Sequence, residues 1–333
     1  MPNTPRPISR RLALAALAGG LATPALAQGG VRIRHAEGEI FLPDVPRRIV
    51  SLGFRAHDSV LALGVTPVAI RHWFGDQPGG LWPWARPLVQ GAAPLLLPRE
   101  VSLESVAVLQ PDLIIGIGGG LTSEQYVALS RVAPVLMQPE GQPAYSTDWD
   151  VMLQSIGLAL GRQDRAAELV AGLRGRFAAM RARHPGWAGR TATAAYNFGG
   201  ETGVFMPGDS RGQFLAELGF TPPEALTRLS RARGFYAPLS PEDLSPLEAD
   251  LLLWVSSTEP VPDIAHLPLR RFLRAYREGR EVVAGPLIAA ALSFGSVLSL
   301  PYALEVLEGE MVLALDGDPA TRVPSAAKAG LAP

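Results

Sequence analysis

The sequence predicts an α/β protein of two similar lobes, each built on a mainly parallel sheet, joined by one long α-helix. Three observations carry this. Short apolar runs alternate with short helical ones, and a helix-strand unit recurs at a constant offset. Between the halves lies a proline-free stretch with apolar residues at helical spacing.

Residues 1–27 read as an export leader: "RPISRR" is a basic start, "LALAALAGGLATPALA" a short apolar run and Ala25-Leu26-Ala27 a small-residue cleavage site. Gly19, Gly20 and Pro24 interrupt the apolar run, which is too short for a permanent anchor. Ser9-Arg10-Arg11 fits the twin-arginine route as well as Sec export. The expected mature chain begins near Gln28 and works in the periplasm. In the first lobe (28–146), "RRIVSLG" (47–53) reads as a buried strand, "AHDSVLALG" (56–64) as a helix closed by Gly64, and "TPVAI" (66–70) as the next strand. The segment "RHWFGDQPGGLWPWARP" (71–87) follows, with three of the six tryptophans; its prolines and glycines exclude a regular helix or central strand. Next come a helix in "SLESVAVLQ" (102–110), a strand in "PDLIIGI" (111–117) and a helix in "TSEQYVALSRVA" (122–133).

The linker (147–186) carries Met152, Ile156, Leu160, Ala167, Val170, Leu173 and Phe177 at helical spacing. Unbroken over 147–184 it would be about 57 Å long; Gly157 and Gly161 are where it would split. The second lobe (187–333) repeats the first. "SPEDLSPLEADLLL" (240–253) matches "SLESVAVLQPDLII" (102–115) at an offset of 138, pairing Ser102 with Ser240, Glu104 with Glu242 and Asp112 with Asp250. The repeat implies a second helix-strand unit.

At 333 residues and 47% hydrophobic the chain can bury a large core in roughly two domains of ~150 residues. Net charge is -1 without a basic block, which argues against nucleic acid. Cysteine is absent, excluding disulfides, thiolate catalysis, cysteine zinc sites and a lipidated cysteine anchor. The five histidines (35, 57, 72, 184, 266) are scattered, and no HExxH or phosphate loop occurs. Leu121 stands where a dinucleotide GxGxxG beginning at Gly116 needs its last glycine. A two-domain α/β enzyme is therefore a weak alternative.

The leader, "RRIVSLGFRAHDSVLALGVTPVAI", the "WPWA" loop, "SLESVAVLQPDLIIG", the linking helix and "SFGSVLSLPYALE" (293–305) together resemble the periplasmic substrate-binding proteins of iron-siderophore ABC transporters. The resemblance implies two Rossmann-like lobes on one long helix. It implies a monomer with a ligand cleft between the lobes and no cofactor of its own. The ligand would be a ferric siderophore, delivered to an inner-membrane permease dimer with its cytoplasmic ATPase. Haem, ligated by His72 or Tyr196, is the alternative ligand.

In open α/β sheets ligands sit beyond the carboxyl ends of the strands. That rule, with the siderophore chemistry, nominates Arg71, Trp73 and Phe74, then Trp82 and Trp84, in the segment after "TPVAI", and Phe54 and Arg55 after "RRIVSLG". On the second lobe it nominates Tyr196, Phe205 and Arg211, then Arg231, Arg233, Phe235 and Tyr236, and Trp254 at its strand's end. Glu104 and Glu242 each follow a serine expected to cap a helix, where the dipole alone favours an acid. The resemblance implies that each instead pairs with arginines of a permease subunit.

Overall fold

The computed structural model describes residues 30–142, 144–145, 147–229, 234–258 and 261–331. It opens on an antiparallel ribbon, β1 (Val31–His35) and β2 (Gly38–Leu42). The first lobe then runs β3 (Ile49–Ser51), α1 (Ala56–Ala62), β4 (Ala69–Arg71), β5 (Leu95–Leu97), α2 (Leu103–Ala107), β6 (Leu113–Ile115), α3 (Ser123–Leu129) and β7 (Val135–Leu136). Its sheet is fully parallel in the order β5-β4-β3-β6-β7. Residues of β3 and β6 are buried on both faces, which is why these strands read as unbroken apolar runs. The order reverses between β3 and β6, so the chain leaves a crevice at the carboxyl ends of these strands.

The linker is two helices, α4 (Trp149–Ala159) and α5 (Gln163–Arg183). Gly161, at a φ of 61°, makes the break; Gly157 stays inside α4, where a Cβ would fall 2.7 Å from that of Ala166. The pair folds back antiparallel, with Asp150 salt-bridged to Arg174. Of the two forms the sequence allows, the split one is found, and α5 is the long helix, about 31 Å at 1.5 Å per residue. Glu308 holds its far end, accepting from Arg183 at 2.8 and 3.0 Å and bonding His184 at 2.7 Å.

The second lobe comprises β8 (Ala192–Phe198), β9 (Glu201–Phe205), α6 (Ser210–Glu217), α7 (Glu224–Leu229), β10 (Tyr236–Pro238) and β11 (Leu251–Val255). It continues through α8 (Pro262–Ala265), α9 (Arg274–Arg277), β12 (Glu281–Ala284), α10 (Pro286–Phe294), α11 (Ser299–Ala314) and α12 (Pro324–Lys328). Its sheet, β10-β9-β8-β11-β12, is parallel across β8, β11 and β12 and antiparallel through β8-β9-β10.

The internal repeat has a physical basis. Asp112, just before β6, accepts from the backbone N–H groups of Arg47 and Arg48 at 2.8 Å, fixing the start of β3. Asp250, just before β11, accepts from Thr191 N–H and Oγ1–H at 2.8 Å, fixing the start of β8. The helix expected after Ser240 does not form. Pro246 has no N–H to give a helix, the Asp243 side chain takes the Ser245 N–H at 2.9 Å, and only a 3-10 turn, Ser245–Leu247, remains. No helix among the described residues is long and apolar enough to cross a membrane.

Candidate functional site

Four successive parallel strands deliver side chains to one cavity of about 620 Å³. After β3 the chain turns at Gly53, where a Cβ would stand 1.9 Å from the Ile117 carbonyl oxygen, and presents Phe54 and Arg55. The end of β4 supplies Arg71 and Trp73, that of β5 Arg99 and Glu100, and that of β6 Gly118; Tyr145 comes from the segment after β7. The second lobe faces them with Phe205 at the end of β9, Asp209, Ser210, Arg211 and Gln213 at the start of α6, Phe235 before β10, and Ser293 in α10.

The two walls share one device, a guanidinium stacked on a phenyl ring. Arg71 lies 4.3 Å over Phe54 and donates to the carbonyls of Arg99 at 2.7 Å and Gly119 at 2.9 Å. Arg211 lies 4.1 Å over Phe205, donates to both Asp209 oxygens at 3.0 Å, and reaches Ser293 Oγ. Burial holds the Arg71 guanidinium below its ordinary pKa, yet arginine stays charged in proteins. Trp73 stacks on Phe54 at 5.6 Å, so one flat apolar face runs beside the charges.

Arg55 forms part of the floor as an inter-lobe strut. Its Nη1 donates to the carbonyls of Phe294 at 3.0 Å and Gly295 at 3.2 Å, its Nη2 to Thr147 O. A cation there complements the carboxyl end of α10, which terminates at Gly295 in the left-handed region. A Cβ on Gly295 would lie 3.1 Å from Arg55 Nη1 and 2.7 Å from Ser210 Cβ, so only glycine permits the approach.

Several predicted residues lie elsewhere. Trp82 is 6% exposed and stacks on Trp84 at 5.4 Å, while Trp84 donates its indole N–H to Asp58 at 2.9 Å; neither lines the cavity. With Trp73 and Phe74 they surround Phe294 of the other lobe, so most of the tryptophan-rich segment seals a seam between lobes. Phe74 and Tyr196 line a smaller compartment of about 200 Å³ that shares Arg211 and Ser293 with the main one. Tyr196 donates to Glu201 at 2.7 Å; burial and that bond push its phenol pKa upward. Tyr236 is exposed, its ring edge-on to Tyr196 and Phe235. The nomination of Trp254 fails: it is fully buried, one residue short of its strand's end, and its indole donates to Glu281 at 2.7 Å. His72 bonds the Gly75 carbonyl at 3.2 Å and lines neither compartment. Arg231 and Arg233 lie outside the described residues. Glu104 is exposed in the first turn of α2, which Ser102 caps through the Ser105 N–H; Glu242 is exposed in a turn where Ser240 accepts from its N–H at 3.3 Å.

Sequence reasoning missed Arg99, Glu100, Tyr145, Asp209, Gln213 and Ser293. The strand-end rule would have found Arg99 and Glu100 had "LLLPRE" been read as a strand, and Asp209 had the α6 cap been recognised. Tyr145 and Ser293 carry no local signal.

Beneath the cleft, Asp58 of α1 is fully buried. Its Oδ2 accepts from Trp84 and from Ser296 of the other lobe, while Oδ1 has no hydrogen-bond donor among the described residues and lies 3.6 Å from His57 Nε2. Burial outweighs those hydrogen bonds and nearby Arg55, pushing the carboxyl pKa up to about 7; burial also pushes His57 down to about 4. Among the described residues no group of three His, Cys, Asp or Glu side chains is placed to hold a metal ion.

Comparison with known proteins agrees with this architecture. The chain is 27% identical over 231 residues, 67% of each protein, to "Probable siderophore-binding lipoprotein YfiY" of Bacillus subtilis (strain 168). It is 28% identical over 224 residues, 63% of each, to the achromobactin-binding periplasmic protein of Dickeya dadantii (strain 3937). A crystal structure of a periplasmic solute binding protein from Mycobacterium smegmatis superposes with a TM-score of 0.75 at 30% identity, covering 86% of this chain and 99% of that one. Residues 49–284, spanning both sheets, match the family model described as periplasmic binding protein, and the chain belongs to that family.

Proposed function

We propose that the protein captures a ferric siderophore in the cleft between its lobes and delivers it to an inner-membrane ABC permease dimer driven by a cytoplasmic ATPase. The observation that carries this reading is the cavity of about 620 Å³ walled from both lobes by guanidinium groups and aromatic rings. The names of the two curated relatives support it. Arg71, Arg99 and Arg211 hydrogen-bond the chelate's oxygens, while Trp73, Phe205 and Phe235 cover its apolar faces. The chelator keeps the iron's coordination shell, so the protein binds a finished complex and catalyses nothing. Residues 1–27 serve as the export leader, and the mature chain acts as a monomer in the periplasm.

Delivery places Glu104 and Glu242 against basic groups of the two permease subunits, one contact per lobe. The crossing helix α5 keeps closure to a modest hinge motion. Titrating the mature protein with ferric siderophores while following tryptophan emission tests capture. Saturable quenching through Trp73, with one chelate per chain, is the expected result. Emission that never saturates with any ferric chelate, or conversion of the ligand into a product, would overturn the reading.

A further inference from the structure

The charge of the cleft narrows the ligand further, on the reading that the cleft is the siderophore site. Four arginines line it, Arg55, Arg71, Arg99 and Arg211, against two carboxylates, Glu100 and Asp209; Arg55 is buried, bonded to backbone carbonyls and also attracted by Asp58 and Asp148 behind the lining, so the uncompensated charge sits on Arg71 and Arg99. The acids are unevenly placed. Asp209 gives both oxygens to Arg211, whereas among the described residues no carboxylate forms an ion pair with Arg55, Arg71 or Arg99. Arg71 spends Nε and Nη1 on backbone carbonyls, and its Nη2 makes no hydrogen bond among the described residues. The Arg99 guanidinium makes no hydrogen bond among the described residues and stands 6.0 Å from the Phe54 ring centroid. It is exposed and unspent.

A ligand that closes over this wall removes water from guanidinium groups the protein does not neutralise. That desolvation is recovered only if the ligand supplies the counter-charge. The aromatic lining does not alter the balance, since two of its rings already carry arginines of their own. The tryptophans that would have favoured an uncharged ligand are mostly elsewhere: Trp82 and Trp84 pack in the inter-lobe seam and Trp254 in the core.

We propose that the cleft takes a multiply anionic ferric chelate, one that turns carboxylate or catecholate oxygens outward, and that Arg99 is the residue that reads this charge. Ferric ion held by three hydroxamate monoanions is neutral and offers no outward oxyanion. Held by three catecholate dianions it carries three negative charges, and a hydroxycarboxylate chelate keeps ionised carboxylates beyond its metal ligands. Only the second and third kinds compensate the cleft.

The test compares ferric tris-catecholate, ferric citrate and a neutral ferric trihydroxamate as probes of tryptophan emission, with the mature protein and its Arg99→Gln and Arg71→Gln variants. Dissociation constants are measured at about 0.02 M and about 0.5 M salt, where screening differs severalfold in range. At least one anionic chelate is expected to bind on the order of 100-fold tighter than the hydroxamate, to weaken in high salt and to lose about tenfold in Arg99→Gln. Which anionic chelate prevails identifies the source of the oxyanions. A neutral hydroxamate that binds as tightly as either anion, indifferent to salt and to Arg99→Gln, would overturn the charge assignment and leave siderophore capture standing. Failure of all three chelates to bind would overturn both.

Discussion

Asp58 shows what one buried side chain contributes to stability. An acid whose folded pKa is raised favours the fold below its unfolded pKa near 3.8 and loses that contribution as pH rises through about 7. Asp58→Asn removes this dependence while keeping an oxygen for Trp84 and Ser296. The stability deficit of Asp58→Asn relative to wild type is therefore expected to widen by about 1.4 kcal/mol per pH unit as pH falls from about 7 to about 4. Above about pH 7, where wild type buries a charge, the variant should match or exceed it. Urea midpoints of both proteins across that range check this, and a gap independent of pH would refute it. Individual residues were only partly legible in the sequence. Phe54, Arg71 and Trp73 followed from lying at strand ends, because topology alone fixes where those ends point. Trp82 and Trp84 ranked below Trp73 as cleft residues from their proline-bracketed setting, but the seam they fill around Phe294 of the other lobe has no local signal in the sequence.

At the scale of elements, alternation and repeat placed most strands and helices, and the repeat proved to encode an aspartate anchoring a neighbouring strand in each lobe. What failed was local chemistry in one place, where Pro246 and Asp243 dissolved a helix, whereas the break in the linker falls at Gly161, one of the two glycines the sequence singles out. Between β11 and β12 a buried network replaces the expected cleft position. Glu281 accepts from Arg270 at 2.7 and 2.9 Å and from Trp254, with Arg270 only 5% exposed. Glu281→Ala would strand that guanidinium beside Leu331 O and should cost ~3–5 kcal/mol in unfolding free energy. Glu281→Gln, which keeps an acceptor, should cost less. A loss under about 1 kcal/mol for Glu281→Ala, by denaturant titration, would show that the pair is not uncompensated when broken.

For the whole molecule, the resemblance set out from the sequence anticipated the family and the two-lobed form, whereas the way the lobes meet was invisible in it. That contact depends on residues more than 200 positions apart, such as Arg55 with Gly295 and Asp58 with Ser296, which no local pattern couples. The proposed delivery to a permease also belongs to this scale, because Glu104 and Glu242 sit one on each lobe. Reversal of both, Glu104→Lys with Glu242→Lys, is expected to abolish permease-dependent uptake in reconstituted vesicles while chelate affinity in solution stays within about twofold, as befits rim charges. Unchanged uptake would remove them from the docking surface. The ring of Phe294 has a wider consequence. It comes from the later half of the chain and fills the centre of an aromatic cage supplied by the earlier half. An isolated first half would present an open hydrophobic socket, with Arg55 and Asp58 at its base stripped of their partners from the second lobe. The repeated unit visible in the sequence thus belongs to two halves that lean on each other, and they are expected to unfold together in one cooperative transition.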